Sequence, residues 1–186
     1  MPVSGRGPLP FAMVHGEPLV VAASLALQQA GVQLVDFHVP WHQLREAARD
    51  SGGPLVLHDP LCPLTPPAFL VEAVRACLES DEVVAGCRPV TDTLKEVGRR
   101  PEGDFVGATV DRDDYVIVCS PVVLPARVVA ALEQSPEFAD FASLVATLRE
   151  GSAVRLLQAP PLARRVARES DLVVLEALSA TVGAAG

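Results

Sequence analysis

Lysine is nearly absent from this 186-residue chain, in which Lys95 is the one lysine among 15 basic side chains. The net charge is −8, and no run of basic residues occurs in the sequence. Nucleic-acid binding depends on clustered positive charge that neutralises phosphates, so this composition argues against a nucleic-acid partner. Apolar residues make up 49% of the chain and charged residues 20%, which is typical of a folded globular protein. The length predicts a single domain over residues 1–186.

Cysteine is also sparse, and its four positions lack the C-x-x-C spacing of a zinc or redox motif. The sequence shows no signal peptide and no apolar run long enough to cross a membrane. We therefore expect reduced thiols, a cytoplasmic protein and no membrane partner. The four residues are Cys62, Cys77, Cys87 and Cys119.

Two histidines four residues apart, His38 and His42, have a spacing that can bind a metal on a helix. Pro40 lies between them and interrupts the helix that would place both side chains on one face. A surface or packing role is therefore favoured over zinc binding.

Residues 55–95 have the pattern of a strand, a helix and a second strand. The apolar run Leu55–Leu57 precedes Asp59, as when a buried strand delivers a carboxylate to the edge of a sheet. Apolar residues then recur at helical spacing, and residues 83–85 are the second strand candidate. Polar residues cluster directly after it, over residues 89–95. The pattern predicts a βαβ unit with a site at its rim.

Periodicity outside this unit predicts further elements. One helix is predicted to begin near Leu19 and to end before Gly31. Further helices are predicted over residues 41–50, 126–132, 138–148 and 171–180. Strands are predicted over residues 33–39 and 152–157, and two more within residues 106–118 around a polar turn at residues 111–114.

The βαβ unit and the sequence that follows it contain motifs that resemble those of a known enzyme family. They are similar to the 2-C-methyl-D-erythritol 4-phosphate cytidylyltransferases of non-mevalonate isoprenoid biosynthesis. The resemblance covers residues 54–178 well and the first fifty residues poorly. It implies a three-layer, Rossmann-like nucleotidyltransferase fold of the α/β class, with a mostly parallel sheet and a protruding β-hairpin arm over about residues 89–121. The matching strings are His58-Asp59, Pro89-Val90, Asp92-Thr93-Leu94-Lys95 and Thr109-Val110-Asp111-Arg112.

At the N-terminus the resemblance implies a glycine loop that wraps a triphosphate. Gly5 and Gly7 would supply backbone N–H groups to the nucleotide, and Arg6 would neutralise phosphate charge. The chain departs from the family at Leu9, which takes the place of a loop lysine. The strand that should precede this loop is also missing, so we expect that it has been lost or that the true start lies upstream of Met1.

A second departure from the family follows the helix predicted over residues 41–50. In the related enzymes a segment before the His-Asp strand holds the cytosine and the ribose. Here Gly52-Gly53 continues directly into Pro54 and the strand. The sequence therefore predicts that the base pocket is gone.

The resemblance assigns the counterpart of Asp59 to a magnesium–nucleotide site. Mg²⁺ prefers oxygen ligands, so Asp59 is the candidate metal ligand, and its alternative role is to cap the next helix. Arg165 takes the place of a late lysine in the resemblance and would meet a phosphate, whereas Leu162 and Ala163 replace the aspartate and asparagine that precede that lysine. Arg6, Asp59 and Arg165 are therefore the candidate catalytic residues.

Thr93, Lys95 and Arg112 form a second candidate cluster, which the resemblance implies for the phosphate of a sugar alcohol. A guanidinium fork and a hydroxyl suit a phosphate, because they offer several hydrogen-bond donors. The alternative is a solvated hairpin with weak surface ion pairs. Asp140 matches a family acid near the same pocket, and its alternative role is to cap the helix that follows it.

The reaction implied by the resemblance is transfer of CMP from CTP to methylerythritol phosphate, with release of pyrophosphate and with Mg²⁺ if the protein is active. A homodimer is also expected, because a two-stranded arm cannot bury both of its faces within one subunit. The resemblance implies that Thr93 and Arg112 then lie near the Asp59 of the opposite subunit. Two hypotheses remain. One is a reduced enzyme that binds nucleotide through Arg6, Asp59 and Arg165. The other is a catalytically inactive homologue that serves as a ligand-binding or partner protein, which the two departures favour.

Overall fold

The computed structural model of the chain describes residues 6–35 and 38–183. The strands are β1 (Met13–Val14), β2 (Glu17–Pro18), β3 (Leu55–Leu57), β4 (Val83–Pro89), β5 (Leu94–Arg100), β6 (Gly103–Val110), β7 (Val116–Leu124) and β8 (Val154–Gln158). The helices are α1 (Leu19–Gln29), α2 (Trp41–Ser51), α3 (Pro67–Ser80), α4 (Ala126–Ala131), α5 (Phe141–Leu148) and α6 (Ser170–Gly183).

A four-stranded sheet in the order β3-β7-β4-β8 forms the centre of the fold. β4 and β8 are parallel, whereas β7 is antiparallel to both of its neighbours, β3 and β4. Three of the four strands therefore run in one direction, as a mostly parallel sheet requires, and β7 makes the pairing mixed. Because β7 lies between β3 and β4, the predicted βαβ unit has a strand inserted between its own two strands.

Successive side chains of the central strands pack against two different layers of helices. Val83 and Ala85 of β4 belong to the same apolar cluster as Ala48 of α2 and residues of α4 and α5. Val84, between them, packs with Ala73 of α3. Side chains alternate along a strand, so the continuous apolar run in β4 reflects a strand that is covered on both faces. This arrangement confirms the three-layer α/β fold.

Proline and glycine set several of the helix boundaries. Pro67 is the first residue of α3, where a missing backbone N–H costs nothing. Gly52 ends α2 in the left-handed conformation, with φ of 66° and its N–H donated to the Ala48 carbonyl. The helices predicted from periodicity are all found, as is β8. Within the described ranges, no helix is both long and apolar enough to cross a membrane.

β5 and β6 form a separate two-stranded antiparallel hairpin, which is the arm of the structure. The two strands predicted around the polar turn at residues 111–114 are present as β6 and β7, but they do not pair with each other: β6 pairs with β5, and β7 pairs with β3 and β4. Residues Arg112–Asp114 form a short 3-10 turn between them. The Asp111 carboxylate accepts a hydrogen bond from the Asp113 N–H and closes this turn locally.

The outer edge of β3 has no strand beside it within the described ranges. Residues 33–35 and 38–39 contain no strand, so the strand predicted over residues 33–39 is wrong for the described part of that segment. Their apolar side chains line a cavity of about 1170 Å³ instead. Residues of α1, α2 and α3 also line this cavity.

Candidate functional site

Asp59 lies buried just beyond the carboxyl end of β3. Its backbone N–H donates to the Oγ atom of Ser120 in β7, the strand adjacent to β3, at 3.0 Å. The Leu61 N–H donates to Asp59 Oδ1 at 3.0 Å and forms a local turn after the strand. Strand pairing and this turn together fix the position of the carboxylate.

Two arginines from distant parts of the chain bind the two oxygens of Asp59. Arg6 Nε donates to Oδ1 and Arg165 Nε donates to Oδ2, each at 2.9 Å. The Arg6 side chain is only 2% exposed, and its Nη2 atom also donates to the Phe138 carbonyl at 3.1 Å. The Arg165 side chain is 43% exposed. We refer to Arg6, Asp59 and Arg165 as the arginine–aspartate cluster.

Opposing influences act on the pKa of Asp59. Burial raises it, but hydrogen bonds from the Leu61 N–H and from the Arg165 and Arg6 guanidinium groups outweigh burial. The net result is a pKa below the ordinary value for aspartate. The carboxylate is therefore charged at neutral pH, as an ion pair with two guanidinium groups requires.

A buried imidazole supports the backbone of Asp59 from behind. His58 Nδ1 is hydrogen-bonded to Ser120 Oγ, the same atom that accepts the Asp59 N–H. Burial lowers the pKa of His58 to about 4, so its ring is neutral at pH 7. Its Nε2 atom has no hydrogen-bond partner among the described residues. Sequence reasoning missed this pair, and the one signal for it was a serine within the apolar run of β7.

A cavity of about 260 Å³ opens beside the cluster. Arg165 is the one cationic residue that lines it, and the two terminal nitrogens of Arg165 have no hydrogen-bond partner within the described ranges. Its lining residues are Asp59, Cys62, Val118, Cys119, Ser120, Ala139, Asp140, Phe141, Ala142 and Arg165. A planar guanidinium with free N–H groups at the wall of a cavity suits a phosphate or another oxyanion.

Asp140 lines this cavity and also caps α5. Its Oδ1 atom accepts the Ala142 N–H at 3.0 Å, and its Oδ2 atom accepts the Ser143 hydroxyl at 2.7 Å. The bond from Ser143 is the main reason why the pKa of Asp140 is below its ordinary value. The capping role is thus present in the structure, and it uses both carboxylate oxygens.

The second candidate cluster lies on or beside the arm, away from the cavity lining. Lys95 Nζ contacts the Thr109 hydroxyl across β5 and β6, and Arg112 donates to the Thr91 carbonyl at 2.7 Å. Thr93 is exposed. No ion pair joins these residues to other described residues, so the surface pairs of the alternative interpretation are not formed. Within one subunit the structure does not bring Thr93, Lys95 and Arg112 to Asp59.

The predicted glycine loop lies only partly in the described chain, because Gly5 falls outside it. Gly7 is described and has a φ of 58°, a conformation that favours glycine. Leu9, at the place of the loop lysine, packs against an apolar cluster that includes Leu61 and Val166. That position therefore faces the interior, and its side chain does not line the cavity.

The described residues do not fit the Mg²⁺ that the resemblance implies. They contain no group of three histidine, cysteine, aspartate or glutamate side chains that could hold a metal ion. Both oxygens of Asp59 already accept guanidinium hydrogen bonds. Asp140 uses both of its oxygens at the start of α5. His38 and His42 are exposed and belong to no such group either.

The fold is that of a Rossmann-like nucleotidyltransferase. The crystal structure of 2-C-methyl-D-erythritol 4-phosphate cytidylyltransferase from Thermus thermophilus superposes with a TM-score of 0.63, over 93% of this chain and 94% of that one. The two sequences are 22% identical, so this likeness concerns the fold alone. No family model matches the sequence.

Curated relatives are more similar to this chain in sequence. The 2-C-methyl-D-erythritol 4-phosphate cytidylyltransferase of Corynebacterium diphtheriae is 30% identical over 141 residues, which are 72% of this chain and 55% of that protein. The protein of the same name from Frankia casuarinae is 33% identical over 175 residues, or 87% of this chain and 64% of that protein. The chain is thus similar to 2-C-methyl-D-erythritol 4-phosphate cytidylyltransferases, and its matches span between about half and two thirds of these relatives' length.

Proposed function

We propose that this chain catalyses cytidylyl transfer, in which CMP passes from CTP to 2-C-methyl-D-erythritol 4-phosphate and pyrophosphate is released. The names of the relatives support this reaction. The observation that carries the proposal is the arginine–aspartate cluster at the rim of the sheet, with Arg165 at the wall of the cavity. Ligands of open α/β sheets bind at such a rim, beyond the carboxyl ends of the strands.

The chemistry needs positive charge where the leaving group forms. A phosphate oxygen of the sugar phosphate attacks the α-phosphorus of CTP, and the bond to the bridging oxygen of pyrophosphate breaks. The terminal nitrogens of Arg165 would stabilise the negative charge that develops on pyrophosphate. Asp59 would hold this guanidinium in place through its Nε atom. No step is assigned to a metal ion, because the described donors do not fit one.

Two arginines allow a matched test of this role. Arg165→Gln removes the cation beside the cavity, and Arg155→Gln removes an exposed arginine whose Nε is paired with Glu82 at the same distance of 2.9 Å. With CTP and methylerythritol phosphate, the rate of pyrophosphate release should fall about 100-fold or more for Arg165→Gln. Arg155→Gln should retain the rate of the parent protein.

A second candidate function is phosphate binding without cytidylyl transfer. Two observations favour it: the cavity of about 260 Å³ lies just below the roughly 300–1,000 Å³ of typical ligand pockets, and Leu9 faces the apolar interior. The assay above separates the two functions. Absence of pyrophosphate release from a protein that binds inorganic phosphate would support the second candidate and contradict the first.

The partners and location expected from the sequence belong to the same proposal. CTP and methylerythritol phosphate are the substrates, residues 1–186 act as one domain, and a second copy of the chain pairs through the arm. A cytoplasmic location is supported by the four cysteines, which are free and buried. Burial raises the pKa of Cys77 to about 11 and that of Cys119 to about 12, so these thiols are protonated at neutral pH.

A further inference from the structure

The hydrogen bonds of Asp59 hold two guanidinium groups in place. Three N–H groups of the protein reach its two oxygens, from Arg6 and Arg165 at 2.9 Å and from Leu61 at 3.0 Å. A magnesium ligand would need an oxygen about 2.0–2.1 Å from the ion. An ion at that distance would lie within a few ångströms of two guanidinium charges, which repel it strongly at a buried site.

The neighbouring side chains supply no excess of negative charge that would attract such an ion. Asp140 is the other carboxylate that lines the cavity, and both of its oxygens bind groups at the start of α5. The cavity wall supplies no further aspartate or glutamate within the described ranges. The charges around such an ion balance, because Asp59 and Asp140 are matched by Arg6 and Arg165, so a divalent ion would meet no net negative charge at this place.

We infer that Asp59 is a positioning residue for Arg6 and Arg165 and not a magnesium ligand, and that the site binds a phosphate group through Arg165 without a metal. The Nε atom of Arg165 is held by Asp59, while its terminal nitrogens remain available at the wall of the cavity. The carboxylate is fixed in turn by the Ser120 hydroxyl and the neutral His58 behind it. This inference rests on the proposed function for the identity of the site, but its test measures binding and not turnover.

Inorganic phosphate is a suitable probe, because it occupies a single anion site and needs no base pocket. Its dissociation constant, measured by calorimetry on the whole chain, should be the same in EDTA and in excess Mg²⁺. Arg165→Gln should weaken phosphate binding about tenfold. Glu82→Gln, which alters the exposed pair with Arg155, should leave the dissociation constant unchanged.

In EDTA, Asp59→Asn should change the affinity for phosphate in opposite directions, according to whether Asp59 anchors Arg165 or binds a metal. If Asp59 only repelled phosphate in the absence of its metal, removal of the negative charge would tighten phosphate binding. If Asp59 holds Arg165, the variant should bind phosphate about tenfold more weakly, although it carries one negative charge less.

Manganese gives an independent measurement that needs no variant. Electron paramagnetic resonance of Mn²⁺ added to the parent protein should show no stoichiometric binding. Stoichiometric Mn²⁺ binding that disappears in Asp59→Asn, or phosphate binding only when Mg²⁺ is present, would overturn the inference. If Asp59→Asn does not fold, the Mn²⁺ titration of the parent protein and the Mg²⁺ dependence of phosphate binding decide the question. A failure of cytidylyl transfer alone would contradict the proposed function and leave these results valid.

Discussion

Asp59 carries one negative charge between two guanidinium groups, and the side chain of one of these, Arg6, is almost wholly removed from water. A buried ion pair adds little net stability by itself, because desolvation offsets most of the attraction. Removal of one partner is costly all the same, since the other is left buried without its counter-charge. Asp59 therefore has a structural role in addition to any role in ligand binding.

Asp59→Asn should lower the free energy of unfolding by about 3–5 kcal/mol at pH 7. The matched control is Asp81→Asn, whose pair with Arg127 is exposed on both sides, and which should cost about 0–1 kcal/mol. Urea denaturation of both variants measures the difference. Equal and small losses for the two variants would show that Arg6 finds adequate compensation without Asp59.

His58 predicts a dependence of stability on pH. Its pKa falls from 6.5 to about 4 in the folded chain, so below pH 6.5 the unfolded chain binds a proton that the folded chain rejects. Stability must then decrease as the pH falls from 6.5 toward 4. The free energy of unfolding should be about 2 kcal/mol lower at pH 5 than at pH 7.

His58→Gln tests the source of this loss, because glutamine can hydrogen-bond to Ser120 but does not titrate. The decrease between pH 7 and pH 5, measured by urea denaturation, should shrink by about 2 kcal/mol in this variant. His42→Gln, on the exposed face of α2, should retain the full decrease. A parent-like pH profile for His58→Gln would exclude His58 as the titrating group.

Among the elements, those with strong apolar periodicity were predictable from the sequence and those without it were not. β4 was found because its apolar run is buried, and β8 was found because Val154, Leu156 and Leu157 make it rich in apolar residues, although none of its residues is fully buried. β5 was missed because it reads Leu-Lys-Glu-Val-Gly-Arg-Arg and lies exposed on the arm, where β6 is its one strand partner among the described residues. The segment 33–39 contains apolar residues but forms no strand in its described part, where Leu34, Val35 and Val39 line a cavity.

The contacts of the candidate site were also not predictable, because they depend on how the strands pair. The motifs drew attention to Asp59 and Asp140 without showing what they contact. The antiparallel insertion of β7 between β3 and β4 brings Ser120 to Asp59 across 61 residues of sequence. Local periodicity carries no information on such a pairing, so the His58–Ser120 support could not be predicted.

A glycine in β4 tests how tightly β7 must approach this site. A Cβ atom added to Gly86 would lie 3.0 Å from the Ser120 carbonyl oxygen, at the point where the register of β4 and β7 shifts. Gly86→Ala should therefore cost roughly 1–3 kcal/mol of stability, and it should also weaken phosphate binding by displacing Ser120. Gly98→Ala in β5, whose nearest neighbour would be 3.8 Å away, should change stability by less than about 0.5 kcal/mol. Thermal denaturation of both variants and calorimetry with phosphate measure these effects. A Gly86→Ala protein as stable as Gly98→Ala would show that β4 and β7 can separate freely.

At the scale of the whole molecule, the arm is a part of the structure that stays largely exposed to solvent within one subunit. Nearly every residue of β5 and β6 is exposed. Val97 and Val106 lie directly opposite each other in the hairpin, and Val106 is 79% exposed. An isolated two-stranded hairpin is marginally stable in water, so an apolar pair of this kind favours burial against another surface. The proposed homodimer supplies that surface from the arm of the second copy, which would also explain why Thr93 and Arg112 lie away from the cavity of their own subunit.

Val106→Glu should convert the dimer to a monomer, because it places a charge in the centre of the proposed interface, where desolvation is most costly. The matched control is Val173→Glu on α6, where the parent valine is 71% exposed and no role in assembly is proposed. Light scattering at micromolar concentration should give the mass of two chains for the parent protein and for Val173→Glu, and of one chain for Val106→Glu. A parent protein that is monomeric under these conditions would contradict the dimer and with it any site completed by the second arm. A Val106→Glu protein that remains dimeric would move the interface away from the arm, and Thr93 and Arg112 would then have no route to the Asp59 of a partner.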